Sequence, residues 1–257
     1  MRRIRVIPTL LLDSDGGLVK TGRFGKRTYI GDPINAVKIF NDKGADELLL
    51  MDIDCTRDRR EPNYPAIEDI VSEAFMPVAY GGGVRTVDQM AALFRCGLEK
   101  VVVSTAAYEC PELIRQATER FGAQSVVACM DVRKDFFGRT RVYVRNGTSS
   151  TKTTPKDFAQ RVAQHGAGEI IVYSINRDGC YSGYDLQLLK QISAAVRVPV
   201  VACGGARSID DFLLAASEAD CAAVAAGSMF LFQSHSRGIL ISYPSEGELQ
   251  RRLFNEL

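Results

Sequence analysis

The chain has 257 residues and a formal net charge of +1, with 46% hydrophobic and 25% charged residues. This is an ordinary composition for a globular protein, and so small a net charge gives no electrostatic support to a nucleic-acid partner. No apolar run approaches the ~20 residues that a membrane-spanning helix needs, so we expect no membrane association.

Neither the N-terminus nor the cysteines point to export or to redox chemistry. The basic N-terminus leads straight into a predicted strand and lacks the apolar core of a signal peptide, so we expect a cytoplasmic protein. Cys129, Cys203 and Cys221 lie in or beside apolar strands, which favours buried reduced thiols. Only two histidines, His165 and His235, are present, and the sequence predicts neither a metal site nor a cofactor.

Short apolar runs alternate with amphipathic segments along the whole chain. The apolar runs predict strands at 4–11, 47–53, 77–80, 100–103, 126–131, 169–174, 199–202 and 222–225. The amphipathic segments predict helices at 33–43, 64–74, 87–96, 111–121, 155–164, 185–194, 209–219 and 246–255. Pro33, Pro111 and Pro155 are predicted at first helical positions. Eight such pairs indicate an α/β fold, a (β/α)8 TIM barrel, with a doubly wound open sheet as the alternative.

The two halves of the chain resemble each other at an offset of 122 residues. Residues 76–85 align with residues 198–207, where Pro77 matches Pro199 and Arg85 matches Arg207. Residues 44–50 likewise align with residues 166–172. The sequence therefore predicts a single barrel over 1–257, made of duplicated half-barrels at roughly 1–122 and 123–257, and this repeat favours closure of the sheet.

Glycine turns follow predicted strands in both halves. A buried strand that ends in glycine lets backbone N–H groups approach an anion at a following helix N-terminus. One such site in each half predicts a phosphorylated small molecule with two phosphates, and the alternative is a pair of tight turns without a ligand. The candidate phosphate-binding residues are Gly82, Gly83, Ser104 and Thr105 in the first half, and Gly204, Gly205, Gly227 and Ser228 in the second.

Two long segments follow predicted strands one and five. They cover residues 13–31 and 134–152, and the second contains a predicted small hairpin at 141–144. Because both segments follow strands, we expect both on the C-terminal face of the barrel, where such enzymes bind substrate.

These motifs resemble the cyclase subunit of imidazole glycerol phosphate synthase over nearly the whole chain. The resemblance rests on the repeat, the glycine turns, Ser-Thr-Ala-Ala at 104–107, and Arg-Asp-Gly-Cys-Tyr-Ser-Gly-Tyr-Asp at 177–185. It implies a subunit that takes ammonia from a separate glutaminase, cleaves a bisphosphorylated ribonucleotide and closes an imidazole ring in histidine biosynthesis.

Three residues match the family's functional positions. Asp131 ends strand five, Asp178 follows strand six, and Lys20 lies in the long segment after strand one. The resemblance implies a catalytic role for all three, with Lys20 closing over the substrate. The alternatives are a structural hydrogen-bond anchor at Asp131, a turn former at Asp178 and a solvated loop charge at Lys20.

The family's second acid–base aspartate, at the end of strand one, is replaced by Leu11. Asp13 and Asp15 lie nearby, but a shift of two residues moves a carboxylate by several ångströms. General acid–base catalysis needs a reach of about 3 Å, so the sequence predicts little or no intrinsic cyclase activity. A different strand register that uses Asp13 is an open alternative.

Four charged residues begin predicted strands one, two, four and six. They match the family's charged ring at the base of the barrel, which is its ammonia gate, and the alternative is a set of unrelated charges. The resemblance implies that a glutaminase docks on this N-terminal face, and that ammonia crosses an interior with small residues such as Ala79, Val103 and Ala202. The ring residues are Arg5, Glu47, Lys100 and Glu169.

A chain that keeps the ring and the glycine turns but loses one aspartate resembles a paralogous branch of the family. Residues 11–21 and 60–63 are more similar to that branch, which is associated with bacterial surface polysaccharides. There the resemblance implies delivery of ammonia to a sugar amidotransferase, which turns an N-acetyl group into an acetamidino group. The alternatives are a genuine cyclase with a displaced acid and a catalytically silent phosphate-binding scaffold.

Overall fold

Eight parallel strands form the centre of the computed structural model, which describes residues 3–233 and 238–257 and so leaves out His235. The strands pair in the order β6-β7-β8-β1-β2-β3-β4-β5, and β5 pairs with β6 to close the sheet. They are β1 (Arg5–Leu12), β2 (Leu48–Asp52), β3 (Val78–Gly81), β4 (Lys100–Val103), β5 (Val126–Lys134), β6 (Glu169–Ser174), β7 (Val200–Cys203) and β8 (Ala223–Ala226). This closed sheet confirms the predicted TIM barrel and excludes the open sheet.

Helices surround the strands and follow each of them in turn. Local sequence fixes several of their N-termini, as at Asp32 and Thr154, whose side chains accept a first-turn N–H while the next residue is proline. The prediction for Pro111 is off by one position, because Pro111 caps its helix rather than opening it. The outer helices are α1 (Pro33–Asp42), α2 (Tyr64–Ser72), α3 (Val87–Arg95), α4 (Glu112–Phe121), α5 (Pro155–Gln164), α6 (Leu186–Ser193), α7 (Ile209–Ser217) and α8 (Glu246–Arg252).

Two further short helices, Thr105–Glu109 and Ser228–Leu231, come directly after β4 and β8. Each is too short to show helical periodicity in the sequence, which is why the predicted elements do not include them. Single-turn 3-10 helices lie at Ala123–Ser125 and Phe254–Glu256, and a two-residue ladder joins Phe232–Gln233 to Gly238–Ile239.

The two long segments extend the sheet above the barrel. After β1 the chain forms antiparallel strands Leu18–Thr21 and Arg27–Gly31, and the first of these pairs with the end of β1. After β5 the strand Thr140–Val144 pairs antiparallel with the end of β5 itself, and Ser149–Ser150 adds to it. The hairpin predicted at 141–144 is therefore only half of a larger hairpin whose other half is β5.

Apolar side chains pack in two layers, because neighbours along a strand point to opposite faces of the sheet. The outer layer lies between the strands and the helices and includes Val103 and Ala202. The sequence predicts both residues in the barrel interior, and this prediction is wrong. The inner layer fills the barrel and contains Ala79 together with Ile7, Leu49, Val102, Val127, Cys129, Ile171, Tyr173, Val201, Cys203, Ala223 and Ala225.

The described cysteines are all reduced, and Cys129, Cys203 and Cys221 are buried, as the strand pattern predicts. Burial raises the pKa of the Cys203 thiol to about 12, so this group is a neutral thiol at neutral pH. Across residues 3–233 and 238–257, no helix is long and apolar enough to cross a membrane.

Candidate functional site

A cavity of about 790 Å³ opens at the C-terminal end of the barrel. It lies towards the ends of the parallel strands, because its lining residues come from the C-terminal halves of β1, β2, β5 and β6 and from the turns that follow β3 and β4. Four of the predicted site residues, Gly82, Gly83, Ser104 and Thr105, line it, and so does Asp131.

Asp131 is buried at the bottom of this cavity and is 7% exposed. The Ser104 hydroxyl lies 3.5 Å from its carboxylate, and the Cys129 thiol lies at 3.9 Å. Burial raises the pKa of Asp131 to about 7, because few hydrogen bonds offset the cost of its charge. A carboxyl group with such a pKa can both give and accept a proton at neutral pH.

Leu11 lines the same cavity, at the end of β1. Asp13 lies beyond the strand, where its carboxylate accepts hydrogen bonds from the backbone N–H groups of Gly17 (2.9 Å) and Asp15 (3.1 Å). These bonds hold a turn, and Asp13 is not among the described residues that line the cavity. The alternative register that would bring Asp13 into the site is therefore wrong.

Asp178 joins the segment after β1 to the segment after β6. Its carboxylate accepts hydrogen bonds from Lys20 Nζ (2.6 Å), the Thr21 hydroxyl (2.8 Å) and the Tyr173 hydroxyl (3.1 Å). The Phe24 backbone N–H lies 3.4 Å from the same carboxylate. Lys20 is only 4% exposed, so the solvated-charge alternative is wrong: this lysine is held inside the protein by a buried ion pair.

Both glycine turns have backbone conformations that favour glycine. Gly82 and Gly205 have φ values of 139° and 112°. A Cβ atom on Gly82 would lie 2.6 Å from the Asp52 carbonyl oxygen, and one on Gly205 would lie 2.3 Å from that of Gly183. The two turns therefore need glycine for the same reason, which is the close approach of a neighbouring backbone.

The surroundings of the two turns differ. The first turn, at Gly82 and Gly83, opens into the large cavity. The second turn, at Gly204 and Gly205, borders a cavity of only about 10 Å³. Tyr181 lines that small cavity and donates a hydrogen bond from its hydroxyl to the Ser228 carbonyl oxygen (2.9 Å). Gly204, Gly205, Gly227 and Ser228 are thus brought together as predicted, but under a cover of side chains.

Arginines surround the large cavity, and none of them was among the site residues predicted from the sequence. Their signal was weak because they come from four separate segments, and only Arg85 belongs to a glycine motif. Arg145 pairs with Glu109, and its backbone N–H donates to the Thr105 hydroxyl (2.9 Å). The arginines that line the cavity are Arg27, Arg57, Arg59, Arg85 and Arg145.

The four strand-start charges meet at the opposite, N-terminal end of the barrel. Arg5 pairs with both Glu47 and Glu169. Lys100 Nζ lies 2.8 Å from Glu47 and 3.4 Å from Glu169, so the two signs alternate around a closed ring. All four side chains are partly or fully buried, which excludes unrelated surface charges. No group of potential metal ligands occurs among the described residues.

Comparison with known proteins identifies the family. Residues 5–236 match the family model described as histidine biosynthesis protein. The chain belongs to this family. It is 48% identical over 97% of its length to the "Putative imidazole glycerol phosphate synthase subunit hisF2" of Pseudomonas aeruginosa, 99% of which is covered.

Two further relatives support the cyclase family and a paralogous branch of it. The "Putative imidazole glycerol phosphate synthase subunit hisF3" of Vibrio vulnificus is 44% identical, with 98% of this chain and 97% of that protein covered. The "Imidazole glycerol phosphate synthase subunit HisF" of Alkaliphilus metalliredigens is 40% identical, with 90% and 92% covered.

Proposed function

We propose that the chain is the cyclase-family subunit of a glutamine amidotransferase complex. In this proposal a glutaminase binds the N-terminal face, and its ammonia crosses the barrel toward the cavity. The ammonia is then passed to a sugar amidotransferase that modifies a surface-polysaccharide sugar. The cavity, in turn, holds a phosphorylated small molecule on its glycine turn.

One observation carries the proposal, and it lies on β1. This strand keeps Arg5 in the charged ring but has Leu11 in the cavity that contains Asp131. A leucine cannot transfer a proton. The chain therefore keeps the charged ring but lacks one of the two acids needed for ring closure.

The region between the ring and the cavity suits a neutral molecule. The ring has two positive and two negative side chains, and the inner layer above it includes Ala79, Ala223 and Ala225. Ammonia is small and uncharged, so it can enter this apolar interior without the free-energy cost of burying a charge. Ammonium would incur that cost.

The proposal is tested by following the nitrogen. The chain is combined with a glutaminase and a sugar amidotransferase from the same organism, and amide-¹⁵N glutamine is supplied with an N-acetylated sugar substrate. We expect ¹⁵N in an acetamidino group only when this chain is present. Labelled product at the same yield without the chain, with ammonium excluded, would reject the proposal.

The second candidate, a genuine cyclase, is favoured by Asp131, whose raised pKa suits proton transfer. An activity assay of the chain alone, with ammonium and the bisphosphorylated ribonucleotide, distinguishes the two candidate functions. We expect no turnover above background, and turnover on the scale of ordinary enzymes, about 1 to 10³ per second, would favour the cyclase.

A further inference from the structure

The two glycine turns share a backbone but differ in the space above them. The second turn is bordered by about 10 Å³, which is the volume that a single water molecule needs. A phosphoryl group brings three terminal oxygens, each about as large as a water, so it does not fit there. The first turn opens into about 790 Å³.

Three side chains fill the space above the second turn. Tyr181 spans it with its hydrogen bond to the Ser228 carbonyl. The Lys20 side chain packs over Gly227, with its Cε 3.2 Å from where a Cβ would stand on that glycine. The ring of Tyr173 lines this small cavity and also the large one, so it forms part of the wall between them.

Phe24 completes this wall. Its ring meets the Tyr173 ring edge to face, with centroids 4.9 Å apart, and it lines the large cavity. The large cavity thus ends on an uncharged wall, formed by Phe24, Tyr173 and Leu11, on the side where a second phosphate seat would lie.

A single position in each half accounts for much of the contrast. Tyr181 and Arg59 are 122 residues apart, and both have the left-handed conformation that L residues rarely adopt, with φ values of 53° and 55°. Arg59 is exposed and lines the large cavity, and it makes no ion pair with any described residue. The same backbone position therefore supplies a cation above the first turn and a phenol cover above the second.

We propose that this barrel takes a ligand with a single phosphoryl terminus and an uncharged distal end. The phosphoryl group lies on the first glycine turn beside Arg59, and the distal end meets the wall of Phe24 and Tyr173. Of the three side chains above the second turn, Tyr181 is the one whose counterpart 122 residues earlier is a cation, Arg59. The inference rests on the phosphorylated ligand of the proposed function, and it gives that ligand one phosphoryl group where the sequence predicts two.

The test exchanges the two residues and counts bound phosphate. Inorganic phosphate is titrated into the full chain and followed by ³¹P NMR, and crystals are soaked in phosphate to locate it. We expect one phosphate in the wild type, on the first turn. Tyr181→Arg should bind two, and Arg59→Tyr should lose about tenfold in affinity, the equivalent of about 1.4 kcal/mol.

Tyr29→Arg is the matched control, because Tyr29 is an exposed tyrosine of the strand Arg27–Gly31 and does not line either cavity. It should bind one phosphate with wild-type affinity. Two phosphates bound to the wild type would overturn the inference but would still agree with the phosphorylated ligand of the proposed function. No phosphate in the wild type would overturn both the inference and that part of the proposed function. A second phosphate in Tyr29→Arg would show a general charge effect and overturn the assignment to Tyr181.

Discussion

Two residues that line the cavity at the C-terminal end of the barrel differ in their capacity to transfer a proton. Asp131 is a buried acid with a pKa near neutrality, and Leu11 lines the cavity with it and has no proton to exchange. The contrast arises from residue type and not from position, because both are inward-facing residues towards the ends of their strands. Each gives a prediction that one substitution can test.

Replacement of Leu11 by aspartate should restore a second carboxyl group to the cavity. We expect Leu11→Asp, made in the Tyr181→Arg variant so that the second phosphate of the substrate has a seat, to raise cyclase turnover with ammonium by about 10² to 10⁴ over Tyr181→Arg alone, the usual contribution of a positioned acid or base. Turnover is measured as imidazole product from the bisphosphorylated ribonucleotide. Leu11→Asn in the same variant, which has the shape of aspartate without the acid, should stay at the level of Tyr181→Arg alone. High turnover in the wild type itself would contradict the prediction.

The raised pKa of Asp131 makes stability depend on pH. In the unfolded chain this carboxyl ionises near pH 4, whereas in the folded protein burial keeps its proton until about pH 7. The folded state therefore binds more protons in this interval, and its free energy of unfolding falls as pH rises from about 4 to 7.

Asp131→Asn lacks this titration, so it should gain stability relative to the wild type across that interval, by up to roughly 4 kcal/mol, and level off above pH 7. Urea denaturation of both proteins at five pH values measures the difference. A difference that stays constant from pH 4 to 8 would mean that the carboxyl titrates normally.

At the scale of elements, the strands Leu18–Thr21 and Arg27–Gly31 depend on a contact with the segment after β6. Lys20 and Asp178 form their ion pair at 4% and 2% exposure. Removing one partner leaves the other charge buried without compensation, which costs about 3 to 5 kcal/mol.

Lys20→Met should therefore lower the free energy of unfolding by that amount, as measured in urea. Lys26→Met is the control, since Lys26 is an exposed lysine between the two strands and should change stability by under about 0.5 kcal/mol. The double variant Lys20→Met with Asp178→Asn should recover much of the loss. A Lys20→Met protein as stable as the control would show that the pair contributes little.

Sequence predicts the barrel strands and outer helices well because their signals are local. The strands are continuous apolar runs, and helix starts such as Asp32 and Thr154 have a capping residue followed by proline. The strand Leu18–Thr21 was not predicted, because its polar Lys20 is buried only through a partner 158 residues away. The cover on the second glycine turn was not predicted either, because it also depends on residues far apart in the sequence. It brings Tyr181 together with Ser228 and with the segment after β1.

At the scale of the whole molecule, unusual backbone conformations recur at the same offset. Arg23 and Arg145 both have φ of 54°, and Phe24 and Asn146 have 58° and 55°. A non-glycine residue in this region is uncommon, so matched pairs support the predicted half-barrels at 1–122 and 123–257. The duplication stays a prediction of the sequence.

The ring gives the prediction that involves the whole complex. Lys100→Met removes one positive charge from the ring and leaves Glu47 and Glu169 with Arg5 alone. We expect glutamine hydrolysis to continue while transfer of its nitrogen to the downstream product falls at least tenfold. The measurement is the ratio of labelled product to glutamate formed from amide-¹⁵N glutamine.

Lys156→Met, an exposed lysine on α5, is the control and should keep the wild-type ratio. Binding of the glutaminase is checked on the same samples, since loss of the partner would lower transfer for another reason. A wild-type ratio in Lys100→Met with the glutaminase bound would reject the gate and favour the scaffold hypothesis.

The contacts of Asp178 have a consequence for how the protein opens. Its carboxylate holds Lys20 and Thr21 from one segment and Tyr173 from β6, so neither segment can leave without breaking the same set of bonds. Backbone amides on the two segments should therefore exchange with deuterium at a common rate, as one cooperative unit, although more than 150 residues separate them. Access to the buried face of this barrel is thus an event of two segments moving together rather than of one loop lifting alone.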